Sequence, residues 1–265
     1  MPEFERDGWK LFYEDRGEGP PILLVHGLLM DHTMFDPQVE ALQDRYRLIT
    51  PDLRGHGASQ HRAEDYTQWD LMEDHVALLG HLGIDRAVWG GVSQGGFQSL
   101  RAALRHPDRV AGLILIDTQA GPEDETKGPM YEAFADVIAA DGWNDEILQT
   151  ATVSIFGSSA SDELKRPWIE RWRAEETFDA PHSLRAVTRR EDITDRLHEI
   201  EQPAVVIHGE EDASIEMDRA EALANGLPNL VEFVTVPGAG HSSTIEQPGP
   251  VTDAIERFLQ KVYPA

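Results

Sequence analysis

The chain has 265 residues, 40% of them hydrophobic and 27% charged, which is enough apolar content for a folded core and excludes a disordered or fibrous protein. Its 23 basic residues stand against 48 acidic ones, and the formal net charge of −25 would repel nucleic acid phosphates and anionic membrane surfaces. Because the sequence contains no cysteine, disulfides, thiolate metal sites and cysteine nucleophiles are excluded.

The sequence also indicates a compartment and a kind of partner. It has no apolar run of about 18 residues, and the first six residues lack the basic and apolar regions of a signal peptide. We therefore expect a cytoplasmic monomer or homodimer that acts on a small molecule, without nucleic acid or membrane partners. The basic residues are 19 arginines and 4 lysines. An acidic, lysine-poor chain is typical of adaptation to high salt, and a GC-rich genome is the alternative explanation.

Short apolar runs alternate with segments of helical spacing, which predicts an α/β fold with a mostly parallel sheet. Residues 4–10 and 11–15, joined at Asp7 and Gly8, predict an antiparallel hairpin at the sheet edge. The later strand candidates are nearly continuous in Val, Ile and Leu, as expected for strands buried on both faces. These candidates are 21–26, 47–51, 87–90, 111–117, 204–208 and 231–236.

Amphipathic helices are predicted between these strands, several of them bounded by capping residues or prolines. They cover 37–44, 70–82, 94–105, 216–225 and 249–262. From 119 to 202 the sequence has helical patterns but no good strand. We interpret 119–202 as a helical cap, or lid, inserted into a core domain formed by 1–118 and 203–265. A subdomain with a purely structural role is the alternative.

The strongest local motif is GVSQGG at residues 91–96, between a predicted strand and a predicted helix. A G-x-S-x-G sequence in this context is typical of a nucleophile elbow. Ser93 would occupy a strained turn where side chains two residues away collide, so that Gly91 and Gly95 are required. The backbone N–H of Gln94, at the helix N-terminus, could donate to an oxyanion. A glycine-rich turn with an incidental serine is the alternative.

A serine nucleophile needs a base, and among eleven histidines His241 is the best candidate. It lies in a glycine-rich loop after the last predicted strand. Asp212 follows the strand 204–208, at the carboxyl edge of the sheet, and could orient His241 and stabilise its charge. Asp117, at the end of another strand on the same edge, is the rival acid. A second oxyanion donor is expected from the loop after the first buried strand, where the N–H of Leu28 follows Gly27.

Five short segments together resemble the α/β-hydrolase superfamily over residues 21–262. They are HG at 26–27, DLRGHGAS at 52–59, GVSQGG at 91–96, HGEED at 208–212 and GAGH at 238–241. Within the superfamily, the chain is similar to small capped esterases, enol-lactonases and cofactor-free perhydrolases. The resemblance implies the α/β-hydrolase fold, with a mostly parallel eight-stranded sheet, helices on both faces and a helical cap after strand six. It also implies a triad in the chain order Ser93, Asp212, His241.

The expected reaction is hydrolysis of small to medium carboxylic esters or lactones through an acyl-enzyme on Ser93, without a cofactor or a metal. A serine at the nucleophile position argues against haloalkane dehalogenases and epoxide hydrolases, which have an aspartate there. The alternatives are a perhydrolase or a carbon-carbon bond hydrolase with the same triad, and a non-catalytic binding protein of the same fold. The residues expected to line the substrate pocket are Leu28, Met30, Phe35, Phe97, Trp143 and Trp168.

Overall fold

The computed structural model describes residues 2–174 and 180–264. The strands are β1 (Glu3–Arg6), β2 (Trp9–Arg16), β3 (Pro21–Val25), β4 (Arg47–Pro51), β5 (Ala87–Val92), β6 (Val110–Ile116), β7 (Ala204–Gly209) and β8 (Leu230–Val236). They form one sheet in the spatial order β1-β2-β4-β3-β5-β6-β7-β8. Pairing is antiparallel from β1 to β2 and from β2 to β4, and parallel in every other pair. The predicted sheet is confirmed.

The helices connect these strands. They are α1 (Asp36–Leu42), α2 (Gln68–His81), α3 (Gln94–Arg105), α4 (Lys127–Asp141), α5 (Asp145–Ile155), α6 (Asp162–Ala174), α7 (Ala180–Thr188), α8 (Met217–Gly226), α9 (Ser243–Glu246) and α10 (Pro248–Val262). Within residues 2–174 and 180–264, no helix combines the length and the apolar character that crossing a membrane requires.

The sheet is buried on both faces, as the continuous apolar runs predict. Successive side chains of a strand point to opposite faces, so that Leu23 and Val25 of β3 pack with α2, α3 and α8. Ile22 and Leu24 of the same strand pack on the opposite face, with α1, α10 and helices from the segment between β6 and β7. The fold is therefore a three-layer α/β arrangement whose parallel strands all end at one edge.

Four helices, α4 to α7, lie between β6 and β7, where the sequence predicts a cap over 119–202. Helix α6 contacts the loop after β3, since Trp172 Nε1 donates to the carbonyl oxygen of Leu29 at 2.7 Å and Arg171 pairs with Asp31 at 2.7 Å. Part of the predicted cap, residues 175–179, lies outside the described residues. The division of the chain into a core and a separate cap stays a prediction.

Candidate active site

Ser93 lies in a sharp turn between the end of β5 and the start of α3. Its φ of 52° and ψ of −113° place a non-glycine residue in a strained region of backbone space. Two hydrogen bonds hold the turn against the end of β6: Ser93 N–H donates to Ile116 O at 3.0 Å, and Thr118 Oγ1 donates to Ser93 O at 2.7 Å. The neighbouring structure therefore fixes the direction in which the Ser93 side chain points.

Glycines on both sides of Ser93 are required by the close approach of β3. A Cβ atom on Gly91 would lie 2.3 Å from the carbonyl oxygen of Val25, and one on Gly95 would lie 2.1 Å from the same oxygen. Both distances are far inside van der Waals contact, with backbone as the obstacle. The G-x-S-x-G spacing is thus explained by the packing of the turn against β3.

His241 and Asp212 form a buried hydrogen-bonded pair at the carboxyl edge of the sheet. Nδ1 of His241 lies 2.8 Å from Oδ2 of Asp212. The other carboxylate oxygen, Oδ1, accepts the backbone N–H groups of Ser214 and Ile215 at 2.8 and 2.9 Å. Burial lowers the pKa of His241, but the charge and the hydrogen bond of Asp212 outweigh it, so that the pKa lies above its ordinary value. The pairing leaves Nε2 as the ring nitrogen available to another group.

Asp117, the rival acid, has other hydrogen-bonding partners. Its Oδ1 accepts the N–H of Gly209 at 2.9 Å, and its Oδ2 accepts the N–H and the hydroxyl of Ser243 at 3.1 and 2.7 Å. Burial and the charge of Asp212 raise the pKa of Asp117. The geometry therefore pairs His241 with Asp212, whereas Asp117 connects β7 to the segment that follows His241.

Asp117, His208 and Asp212 offer ligand atoms within 4.8 Å of one another, the spacing of a metal site. However, all four carboxylate oxygens already accept hydrogen bonds, and His208 Nε2 donates to the carbonyl oxygen of Ile215 at 3.0 Å. Nδ1 of His208 is buried and has no hydrogen-bond partner among the described residues, whereas the other polar atoms of this cluster form a hydrogen-bonded framework under the His241 loop.

The backbone N–H groups of Leu28 and Gln94, both near Ser93, make no hydrogen bond to any described residue. Gln94 is the first residue of α3, where N–H groups have no intrahelical acceptor. The loop that carries Leu28 passes close to the Ser93 turn, because a Cβ atom on Gly27 would lie 3.6 Å from Cβ of Ser93. The next residue, Leu29, has a φ of 64°. Both amides that the sequence singles out are thus free beside the serine.

A cavity of about 700 Å³, including the part open to solvent, is bordered by both Ser93 and His241. Its wall is mostly apolar, and it comes from the sheet edge on one side and from α4, α5 and α7 on the other. Of the predicted pocket residues, Leu28, Phe97 and Trp143 belong to this wall. Sequence reasoning missed the α4 and α5 side chains, which include Tyr131, Phe134, Ile138, Ile147, Ala151 and Ile155.

Three other residues predicted to line the pocket lie outside the wall formed by the described residues. Met30 and Phe35 are 1% and 0% exposed and pack in the hydrophobic core around α1. Trp168 is buried on α6, and its ring lies 4.6 Å from the Arg171 guanidinium carbon. All three are core residues because they fill space between elements rather than face the cavity.

Polar groups of the cavity wall form two internal clusters. Glu123 Oε2 accepts from Nη1 of Arg190 at 2.8 Å, and this guanidinium stacks over the Phe97 ring at 4.3 Å. Beside Tyr131, Ser214 Oγ donates to the carbonyl oxygen of Ser154 at 2.8 Å, and burial raises the pKa of Tyr131 to about 12. The charge of Glu123 is thus balanced by Arg190, so that the wall presents little net charge to a ligand.

Glu246, which sequence reasoning also missed, positions the His241 loop. Its carboxylate accepts the N–H groups of Gly240 at 3.1 Å and Ser242 at 3.2 Å, on either side of His241, and that of Gly157 at 2.8 Å. Burial raises the pKa of Glu246. One side chain therefore ties the histidine loop to the segment between α5 and α6.

Replacing Glu246 with glutamine should lower the free energy of unfolding by about 1.5–3 kcal/mol, because an amide NH₂ would face N–H groups that now meet a carboxylate oxygen. Urea unfolding of the two proteins measures this difference. Glu256→Gln is the matched control, since Glu256 pairs with Arg45 at the surface and should change stability by under about 1 kcal/mol. Equal effects of the two substitutions would contradict the role given to Glu246.

Comparison with known proteins gives close matches over nearly the whole chain. A thermophilic esterase from Thermogutta terrifontis has 34% sequence identity and a TM-score of 0.85, covering 98% of this chain and 97% of that one. The enol-lactonase from Burkholderia xenovorans has 26% identity and a TM-score of 0.87, covering 98% and 100%. A 3-oxoadipate enol-lactonase of Acinetobacter baylyi is 29% identical over 244 residues, which cover 91% of this chain and 86% of that protein.

A family model described as the α/β hydrolase fold matches residues 20–248. This match covers most of the chain, including the Ser93 turn, the loop that carries Asp212, and His241. It agrees with the observed sheet order and with the strained serine at the end of β5. The chain therefore belongs to the α/β-hydrolase fold family.

Proposed function

We propose that this protein hydrolyses carboxylic esters or lactones through an acyl-enzyme on Ser93. The observation that carries the proposal is the strained Ser93 turn and the His241–Asp212 pair at the border of one apolar cavity. The similarity to an esterase and two enol-lactonases over nearly the full chain supports the same class of reaction.

The first half-reaction forms the acyl-enzyme. Oγ of Ser93 bonds to the substrate carbonyl carbon while Nε2 of His241 takes the serine proton, and Asp212 stabilises the resulting imidazolium. The carbonyl oxygen becomes an oxyanion that accepts hydrogen bonds from the backbone N–H groups of Leu28 and Gln94. The ester C–O bond then breaks, and the leaving alkoxide takes the proton from His241.

The second half-reaction returns the enzyme to its starting state. A water molecule gives a proton to His241 as its oxygen bonds to the acyl carbon, and the same two amides hold the new oxyanion. Collapse breaks the bond to Oγ of Ser93, which recovers the proton from His241, and the carboxylic acid leaves. The scheme predicts a burst of alcohol release whenever this deacylation is the slower half.

The cavity favours uncharged acyl groups. Its wall is mostly apolar, and its carboxylate, Glu123, is already balanced by Arg190. A carboxylate on the acyl chain would find no free cation in the described wall. An apolar wall discriminates between substrates that differ by one methylene by roughly 1–3 kcal/mol of transition-state binding free energy. Esters whose acyl chains differ by one carbon should therefore be hydrolysed at graded rates.

Helices α4 to α7 act as a cap over this site. They supply much of the cavity wall, through residues such as Tyr131 and Ile155. Helix α6 is anchored to the loop that carries the Leu28 amide by the bond from Trp172 to Leu29. This contact couples the position of the cap to the geometry of the oxyanion-binding loop.

A pH profile of kcat/KM with a neutral aryl ester tests the proposal directly. His241 must be uncharged to accept the serine proton, and Asp212 raises the pKa of His241 above its usual 6.5. Activity should therefore fall as the solution is made more acidic, with a midpoint above pH 6.5. Ser93→Ala provides the blank for spontaneous hydrolysis. Absence of turnover across the ester series, or an acid midpoint below 6.5, would contradict the proposed mechanism.

A further inference from the structure

A second cavity, of about 710 Å³ including the part open to solvent, lies beside the first. The two share helices α3 and α7: Phe97 and Val187 line the first, whereas Arg101 and Ala186 line the second. Charged side chains dominate the wall of the second cavity. They are the arginines Arg101, Arg185, Arg189 and Arg190 and the acids Asp65, Asp70 and Glu191. A cationic majority is notable in a chain with a net charge of −25.

The acids of this wall are already engaged by other groups. Asp65 accepts from Nδ1 of His182 at 2.7 Å, and Asp70 accepts the N–H and hydroxyl of Thr67 in the cap of α2 at 2.8 and 2.6 Å. Oε2 of Glu191 accepts from the indole nitrogen of Trp69 at 2.9 Å. None of these carboxylates therefore neutralises the arginines by a direct hydrogen bond within the described residues.

Three of the four arginines have carboxylate partners outside the cavity wall. Arg185 and Arg189 pair with residues of α4, and Arg190 pairs with Glu123. Arg101 differs, because its Nη1 and Nη2 donate only to the carbonyl oxygens of Phe97 and Glu191, at 3.1 and 2.8 Å. It forms no ion pair with any described residue.

Arg101 is only 1% exposed, and its Nε has no acceptor among the described residues. Nη2 of the neighbouring Arg190 is also buried without an acceptor in that part of the chain. Burial and the charge of Arg190 lower the pKa of Arg101 to about 10. A buried guanidinium with an unused N–H carries a desolvation penalty that an anion would relieve.

We propose that this second cavity binds a small monocarboxylate against Arg101. Carboxylates match the planar donor geometry of a guanidinium. Arg101 is the one arginine of the described wall without a carboxylate partner, so that a monoanion would supply the missing charge, whereas a dianion would be repelled by Asp65, Asp70 and Glu191. The ring of Trp69, which stacks on Arg101 at 5.3 Å, and the methyl group of Ala186 offer apolar surface to a short carbon chain.

The six tryptophan indoles allow binding to be observed at a known place. Trp69 lines the second cavity and Trp143 lines the first, so that their ¹⁵N–¹H signals, assigned with Trp69→Phe and Trp143→Phe, report on separate sites. Sodium acetate is titrated into ¹⁵N-labelled protein while potassium chloride is reduced to keep ionic strength constant. The Trp69 signal should shift along a saturable curve.

Arg101→Met should weaken the apparent affinity for acetate at least about tenfold, because it removes a charged hydrogen-bond donor. Arg105→Met is the matched control: Arg105 stacks on the same indole at 4.0 Å but pairs with Glu73 and does not line the cavity, and this variant should keep its affinity. Arg189→Gln, a change at an exposed residue of the wall, should weaken binding about threefold without disturbing the fold.

Three results of the acetate titration would overturn the proposal. They are a Trp69 signal that does not saturate, unchanged affinity in Arg101→Met, and a saturable response of Trp143 alone, which would place acetate in the first cavity. Sulfate, titrated in the same way, should bind more weakly than acetate, and stronger binding of sulfate would contradict the monocarboxylate assignment. The other tryptophan signals show whether Arg101→Met is folded. If it is not folded, the affinity of Arg189→Gln for acetate tests the proposal in its place.

Discussion

Replacing Ser93 with alanine is expected to lower kcat for a neutral aryl ester by about 10⁶-fold and to abolish labelling by a small fluorophosphonate. The reason is that the acyl group, or the phosphonyl group of the label, bonds to Oγ of Ser93, which alanine lacks. Intact-mass measurement after incubation with the label shows the adduct without any assumption about the natural substrate. The wild-type protein should carry one adduct.

Ser99→Ala is the matched control for this experiment. Ser99 lies on the same helix, α3, is buried, and donates its hydroxyl to the carbonyl oxygen of Gly95 at 2.8 Å. Because Ser99 does not border the cavity, the variant should be labelled like the wild type. A folded wild-type protein without an adduct would favour a non-catalytic binding role, and an adduct that persists in Ser93→Ala would place the nucleophile elsewhere.

Asparagine at position 212 should lower kcat by about 10⁴-fold, whereas asparagine at position 117 should leave kcat within about tenfold. Asp212 is the carboxylate that contacts Nδ1 of His241, at 2.8 Å. An amide there no longer stabilises the imidazolium and favours the wrong tautomer. Asp117 contacts Gly209 and Ser243 instead, so that Asp117→Asn should act on stability, by about 1–3 kcal/mol.

The pair of substitutions is measured by steady-state kinetics and by urea unfolding of the same preparations. Asp212→Asn should also move the acid limb of the pH profile to lower pH, because burial, which lowers the pKa of His241, is then less strongly opposed. A large loss of kcat in Asp117→Asn with little change in Asp212→Asn would reverse the assignment of the acid.

The sequence predicted the parts of the fold and site that depend on short segments and chain order. The continuous apolar runs located the parallel strands, and the glycines around Ser93 located the turn whose packing against Val25 requires them. Asp212 and His241 could be nominated because each follows a strand whose carboxyl end lies at a known edge. Asp212 was preferred to the rival Asp117 because the resemblance implies the chain order Ser93, Asp212, His241, and the distance of 2.8 Å between His241 and Asp212 agrees with that preference.

The cavity wall was less predictable because an amphipathic pattern shows which side chains are buried but not against what. Met30 and Phe35 fill the core near α1, whereas the apolar face of α4 and α5 borders the cavity. An apolar side chain has the same sequence signal in both environments. A single chain therefore does not separate residues of the core from residues of a ligand-binding wall.

Contacts between distant segments left no local signal at all. Glu246 reaches Gly157, 89 residues away, and Arg101 reaches the carbonyl oxygen of Glu191, 90 residues away. By contrast, the start of α2 at Gln68 rather than residue 70 has a readable cause, since Thr67 and Asp70 form a reciprocal capping box. Local hydrogen bonds can be deduced from spacing, whereas long-range ones depend on the completed fold.

Backbone strain in this molecule is concentrated where chemistry is proposed to occur. Of the four non-glycine residues with a left-handed φ in the described chain, Leu29, Ser93 and Asp117 surround the site, and only Asp7 lies in a hairpin turn. Such conformations cost of order 1–3 kcal/mol each. Glycine at these positions would relieve the strain, so that selection for heat resistance alone would tend to replace Ser93. If a serine were kept at position 93 under such selection, its presence would show that the activity itself is required.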